Sequence, residues 1–218
     1  MGASDMNGQR IVIFSGGELG DWALNYLLPD DVIVGVDRGA LFLIKHQVTP
    51  TIALGDFDSV SAEQRALIEQ NSRDIWACDP IMKDLTDTEM AFHWALERNP
   101  REIILFGVLG SRFDHTLANI HLLLKGLQKQ IRCRIIGLHN EVTLIDDQAE
   151  VEKDRFTHVS LLPLSMSVTG ITLEGFQYPL TDATLQIGDS LGISNVLLGE
   201  KGKIKIKSGY LLVIQSMD

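Results

Sequence analysis

From residue 10 to about residue 140 the chain repeats one rhythm. A short β-branched run ends in Gly, Asp or Ser, and a helical pattern follows. The runs are Ile11–Phe14, Val32–Val36, Thr51–Leu54, Ile75–Cys78, Ile103–Val108 and Cys133–Leu138. They are apolar without alternation, as strands covered on both faces are. Strand–helix alternation of this kind predicts a Rossmann-like, mostly parallel sheet with flanking helices and right-handed crossovers. The helices announce their starts: Ser61 with Gln64, and Thr86 with Glu89, both fit a capping box. Leu117, Ile120, Leu124 and Leu127 make one helical stripe, and Met90, Ala91, Trp94 and Ala95 another. Trp22, Trp76 and Trp94 fall in or beside such stripes and read as structural.

After about residue 145 the rhythm changes. Segments become short and alternating, with Pro163, Gly170, Gly175, Pro179, Gly188, Gly192, Gly199, Gly202 and Gly209 between them. In Lys203-Ile204-Lys205-Ile206-Lys207 the period is two, which sends the lysines to solvent and the isoleucines to a core. This predicts an all-β module of roughly 70 residues, small enough to need support from its neighbour or a dimer partner. The expected division is 1–147 for the α/β part and 148–218 for the β part.

Charge narrows the partners. With 19 Lys+Arg against 29 Asp+Glu the formal charge is −10, and no basic stripe offers itself to a nucleic-acid backbone. No apolar run approaches the ~20 residues of a membrane span. Residues 1–10 hold no basic segment leading into an apolar one, and a cytoplasmic location is the expectation. Cys78 and Cys133 lie in apolar runs without metal-ligand spacing, as reduced, buried thiols do.

In an open parallel sheet, ligands bind outside the carboxyl ends of the strands. The first strand is followed by Ser15-Gly16-Gly17 and the second by Asp37-Arg38-Gly39. The third is followed by Gly55-Asp56-Phe57-Asp58-Ser59, and the fourth by Asp79 through Lys83-Asp84-Leu85-Thr86-Asp87. The fifth leads into Gly107 through Gly110-Ser111-Arg112-Phe113-Asp114-His115. Asp56 and Asp58, two apart, share a side if the backbone is extended, so both carboxylates can reach one hard cation such as Mg2+; the same residues also fit the start of a turn. Asp84 and Asp87, three apart at a helix start, suit either a cation or the helix dipole. Ser15-Gly16-Gly17 fits a phosphate approach or a plain tight turn. Arg112 is a bidentate phosphate clamp or a surface arginine. His115 and His121 read as capping or packing residues.

The motifs Gly55-Asp56-Phe57-Asp58-Ser59, Lys83-Asp84-x-Thr86-Asp87 and Gly110-Ser111-Arg112-Phe113-Asp114-His115, in that order, resemble thiamine pyrophosphokinases. Gly175-Phe176-Gln177-Tyr178-Pro179-Leu180 and Gly192-Ile193-Ser194-Asn195 are similar to that family's thiamine-binding β-domain. The resemblance spans about residues 11–214. It implies a nucleotide-binding α/β domain followed by a β-sandwich in a homodimer, converting ATP and thiamine to AMP and thiamine diphosphate. By position it implies Asp56, Asp58 and one or both of Asp84 and Asp87 as magnesium ligands. Asp37 and Arg112 would line the nucleotide, with Lys83 on its phosphates. Asp114 would hold the nucleotide or help deprotonate the alcohol. Tyr178, Ser194 and Asn195 would form the thiamine side, completed from the second subunit. Tyr178 stands where the family often has Trp, a change that keeps an aromatic surface for stacking.

Other readings share parts of this pattern. A pterin diphosphokinase uses the same donor chemistry on a different alcohol. A glycosyltransferase shares the Asp56-Phe57-Asp58 spacing but not the further acidic sites or the compact β tail. A haloacid-type phosphatase carries its paired aspartates after the first strand, not the third. A nucleotide- or thiamine-sensing module has no need of the acidic and basic groups at the sheet edge.

Overall fold

The computed structural model describes residues 8–77 and 84–218. Lys83 and Cys78 lie outside them. The chain forms two compact units, Met1–Leu138 and His139–Asp218.

In the first unit, β1 (Arg10–Phe14), β2 (Val32–Val36), β3 (Ile52–Gly55), β4 (Ile75–Ala77), β5 (Glu102–Phe106) and β6 (Arg132–Ile136) alternate with helices. These are α1 (Asp21–Leu24), α2 (Arg38–Lys45), α3 (Ala62–Asn71), α4 (Asp87–Leu96) and α5 (Phe113–Gln128). The strands pair in parallel in the order β4-β3-β2-β1-β5-β6. Each predicted run became a strand to within a residue or two, because side chains covered on both faces leave little choice of register. Ile11 through Phe14 and Ile103 through Phe106 are fully buried. The winding direction reverses between β1 and β5, the point at which such sheets open a crevice at their carboxyl edge.

The helix starts behave unequally. Ser61 and Gln64 make the full reciprocal box, Gln64 N–H to Ser61 Oγ at 3.3 Å and Ser61 N–H to Gln64 Oε1 at 3.0 Å. Thr86 accepts from Glu89 N–H at 3.2 Å, but the Glu89 carboxylate turns to Lys125 Nζ on α5, 2.6 Å away. Lys125 Nζ also stands 2.9 Å from His93 Nε2. Thus an α4–α5 tie stands where the second half of a box was expected.

The α4 stripe is buried as predicted, with Phe92 and Leu96 added. The α5 stripe is a correction. Its buried residues are Asn119, Leu122, Leu123 and Gly126, whereas Leu117 is 44% exposed and Ile120, Leu124 and Leu127 are only half-buried. Asn119 faces inward because its Nδ2 donates to Val108 C=O at 2.8 Å. Gly126 does so because any Cβ there would strike Cys133 Sγ. In a leucine-rich helix two stripes share the same period, and the polar and small residues decide between them. Trp76 likewise departs from the structural reading: β4 is an edge strand, and the indole is 37% exposed. Trp22 packs edge-on against Phe106 and Trp94 is buried.

The second unit contains β7 (Asn140–Ile145), β8 (Gln148–Glu152), β9 (His158–Pro163), β10 (Ser167–Glu174), β11 (Ala183–Gln186), β12 (Lys201–Lys205) and β13 (Leu211–Ser216). Strands β7-β13-β9 pair antiparallel, as do β11-β10-β12-β8. Val159, Leu161, Leu211 and Val213 from the first set share one core with Val168, Ile171, Leu173, Leu185 and Ile204 from the second, which makes a sandwich. Lys203 and Lys205 face out while Ile204 and Ile206 are buried, as the period-two pattern requires.

Candidate active site

Asp37 follows β2 directly and adopts a glycine-like backbone (φ 47°, ψ −115°). Room for its carboxylate comes from the end of β3. Gly55 has φ 145°, and a Cβ there would run into Asp37 Oδ1. The chain then turns sharply. Phe57, at φ 60°, sends its ring into the cluster of Ala40, Leu41, Ala53 and Ile68, and only 3% of the residue is exposed. Its N–H donates to Asp37 Oδ1 at 3.2 Å, and Asp58 N–H donates to Asp56 Oδ1 at 3.0 Å. Asp56 and Asp58 therefore converge across a turn, not along an extended strand; burying the intervening phenyl ring leaves both acids outside.

Carboxylate oxygens of Asp37, Asp56 and Asp58 lie within 4.8 Å of one another. Asp87, the first residue of α4, adds its charge to Asp37. Burial first, then Asp87 and Asp56, pushes the Asp37 carboxyl up to about 7, against the pull of the Phe57 N–H. Asp58 is raised as well, chiefly by Asp56. Oxygen-only donors under mutual repulsion are what a hard divalent cation relieves. Asp84 is exposed and is not part of this cluster; Asp37, expected on the nucleotide, stands with the acidic pair.

The first turn of α4 also brings Thr88 to the site, its Oγ1 2.7 Å from Ser15 Oγ at the end of β1. Three amides of this turn are engaged: Ser15, Gly17 and Glu18 N–H donate to the carbonyls of Phe106, Gly107 and Leu109. This turn therefore ties β1 to the loop after β5. That loop is fastened in turn by α5, through Asn119 to Val108 and Gly110 N–H to Thr116 Oγ1 at 3.2 Å. Sequence reasoning passed over Thr88, Thr116 and Asn119. The visible signal for the last two was a pair of polar residues one helical turn apart in an apolar helix. Arg112 forms a bidentate pair with Asp114, Nε–Oδ1 3.1 Å and Nη2–Oδ2 2.5 Å, both residues exposed. The guanidinium holds the Asp114 carboxyl far below the usual carboxylate range. His115 and His121 are exposed, contrary to a packing role.

In the second unit the phenol of Tyr178 is prominent, with 59% of the residue exposed. Ser194 takes φ 57°, and its N–H donates to Ser160 Oγ at 3.0 Å. Asn195 is buried, and its side chain turns to the backbone of Tyr178.

A doubly wound α/β unit with carboxylates gathered beyond its strand ends, followed by a β-sandwich, defines a two-module enzyme of the α/β class. The profile of the thiamin pyrophosphokinase catalytic domain matches residues 24–135, and that of the thiamin pyrophosphokinase vitamin B1 binding domain matches residues 148–211. The thiamine pyrophosphokinase of Bacillus subtilis (strain 168) is 36% identical over 187 residues, covering 85% of this chain and 87% of that protein. The crystal structure of the Bacillus subtilis thiamine pyrophosphokinase superposes with a TM-score of 0.90 at 34% identity, over 96% of this chain and all of that one. The Geobacillus thermodenitrificans thiamin pyrophosphokinase gives 0.87 at 37% identity, over 96% of this chain and 98% of that one. The chain belongs to the thiamin pyrophosphokinase family. It is a transferase of that family, and no described helix is long and apolar enough to cross a membrane.

Proposed function

We propose that the chain transfers the diphosphoryl group of ATP to the hydroxyl of thiamine, giving thiamine diphosphate and AMP. The observation that carries this is the convergence of Asp37, Asp56 and Asp58 within 4.8 Å, at the carboxyl ends of β2 and β3. Their mutual repulsion suits magnesium, and these three, with Asp87 alongside, would hold it. When bound, magnesium neutralises phosphate charge and stabilises the oxygen on which AMP leaves. The remaining work is positioning. Arg112 is pre-oriented by Asp114 to meet phosphate oxygens in a fork. In this reading Asp114 orients Arg112 through that bidentate pairing. Thr88 and Ser15 fix α4 against β1 so that Asp87 stays beside Asp37. Acidic surroundings also suit the cationic thiazolium of the acceptor.

In this reading residues 1–147 serve the nucleotide and 148–218 serve thiamine, through Tyr178 and Ser194. Two copies would assemble as a homodimer in the cytoplasm, where ATP is available. Sedimentation equilibrium giving twice the 24.2 kDa chain mass supports the assembly, and a monomer at micromolar concentration opposes it. The deciding assay supplies ATP and magnesium with thiamine or with hydroxymethylpterin. AMP is expected with thiamine alone, since the second module matches the vitamin B1 binding profile. Asp58→Asn is expected to lower turnover by several orders of magnitude while thermal unfolding stays unchanged. Absence of AMP with thiamine, or near-normal turnover by folded Asp58→Asn, counts against the reading.

A further inference from the structure

Asn195 is 6% exposed and its side chain is almost fully occupied. Oδ1 accepts from Tyr178 N–H at 3.0 Å and from Val196 N–H at 2.9 Å. Nδ2 donates to Tyr178 C=O at 2.7 Å. Two acceptor sites and one of two donors are therefore used within the protein. Its backbone is committed too, exchanging hydrogen bonds of 2.9 and 2.8 Å with Val159.

The geometry around residue 178 explains why a side chain is needed there. Residues 175–177 run beside 196–198 through Leu198 N–H to Gly175 C=O, the Phe176–Leu197 bridge, and Gln177 N–H to Val196 C=O. Pro179 follows, without an N–H to carry the pairing further. The Asn195 amide takes the place of a partner peptide and engages both backbone groups of Tyr178. Yet the residue whose backbone is held in this way is 59% exposed, its phenol oxygen meeting Gln177 Nε2 at 3.3 Å. Ordering the backbone under an exposed aromatic face lowers the entropy lost when a flat ligand stacks on it.

We infer that Asn195 is a positioning residue for Tyr178: its buried amide fixes the backbone of residue 178 so that the phenol ring presents a preset face to the cationic heteroaromatic acceptor, and it does not itself contact that acceptor. This rests on the thiamine reading above and adds how the second module would recognise the ring.

The test is steady-state kinetics at saturating ATP on Asn195→Ala, Asn195→Asp, Tyr178→Ala and the Asn195→Ala/Tyr178→Ala double variant. Asn195→Asp keeps both acceptor bonds but sets a carboxylate oxygen against Tyr178 C=O in place of the donor, so it perturbs the same contact by different chemistry and serves where the alanine variant fails to fold. Expected is a KM for thiamine raised roughly five- to thirtyfold by losing such buried hydrogen bonds, with kcat and the KM for ATP within about twofold. On the Tyr178→Ala background, Asn195→Ala should add less than about twofold, because coupled residues are not additive. Independent, multiplicative effects overturn the inference, since Asn195 then meets the acceptor itself or acts elsewhere. A parallel fall in kcat and rise in both KM values for both Asn195 variants overturns it in favour of a purely structural role. A Tyr178→Ala enzyme with unchanged KM for thiamine removes the aromatic platform and the inference with it, while leaving diphosphoryl transfer standing. Absence of wild-type turnover would instead remove the thiamine reading.

Discussion

Asp37 carries two costs at once, a backbone conformation that favours glycine and a carboxylate crowded by Asp56 and Asp87. Removing the charge should relieve the second. Asp37→Asn is expected to stabilise the metal-free protein by about 1–2 kcal/mol in urea unfolding, the size of an ordinary single-site effect. AMP formation should fall by two orders of magnitude or more. An unchanged midpoint would mean that the crowding is absent in solution. At this scale the pair Asp56/Asp58 was legible in the sequence, whereas Arg112, read as a phosphate clamp or a surface arginine, gave no sign of its pairing with Asp114. The approach of Asp37 to the Asp56/Asp58 pair was not legible, because spacing along a chain says nothing of a left-handed backbone that folds one strand end toward the next. The inward turn of the Asn195 amide toward the Tyr178 backbone was not legible either, because a polar residue in a motif looks the same whether its amide faces inward or outward.

At the scale of elements, the site depends on how β3 ends and how α4 begins. Gly55 is needed for its φ of 145° and for the space beside Asp37 Oδ1. Gly55→Ala should destabilise the protein by about 1–3 kcal/mol and abolish turnover together; a folded, active alanine variant would show that Asp37 need not sit there. Thr86 caps α4 one residue before Asp87. Thr86→Ala should cost about 1 kcal/mol by the same measurement, with activity falling because Asp87 and Thr88 fray with the first turn. The strands were legible because burial on both faces leaves an unbroken apolar run. The inner face of α5 was not, because Asn119 and Gly126 define it through contacts with Val108 and Cys133 that no helical period records.

Over the whole molecule, the change of rhythm near residue 145 separated an α/β stretch from a β stretch, since parallel and antiparallel sheets impose different periods, but the compact units divide earlier, between Leu138 and His139, so that β7 falls in the second. The same scale governs stability against alkali. Burial pushes the Cys133 thiol up to about 12 from an ordinary 9.0. Between those values the unfolded chain releases a proton that the folded chain keeps, so stability falls as pH rises, by at most about 1.4 kcal/mol per unit. The stability advantage of wild type over Cys133→Ala should therefore be full at pH 8 and narrow above pH 9, as read by urea unfolding across that range. A constant difference would place the thiol in contact with water.

The acidic groups that meet at the rim come from three separate stretches: the end of β2, the turn after β3 and the start of α4. In an unfinished polypeptide they are far apart and indifferent to one another. Folding must therefore press like charges together, and a divalent ion held there, in the proposed reading, would offset that repulsion as the rim closes.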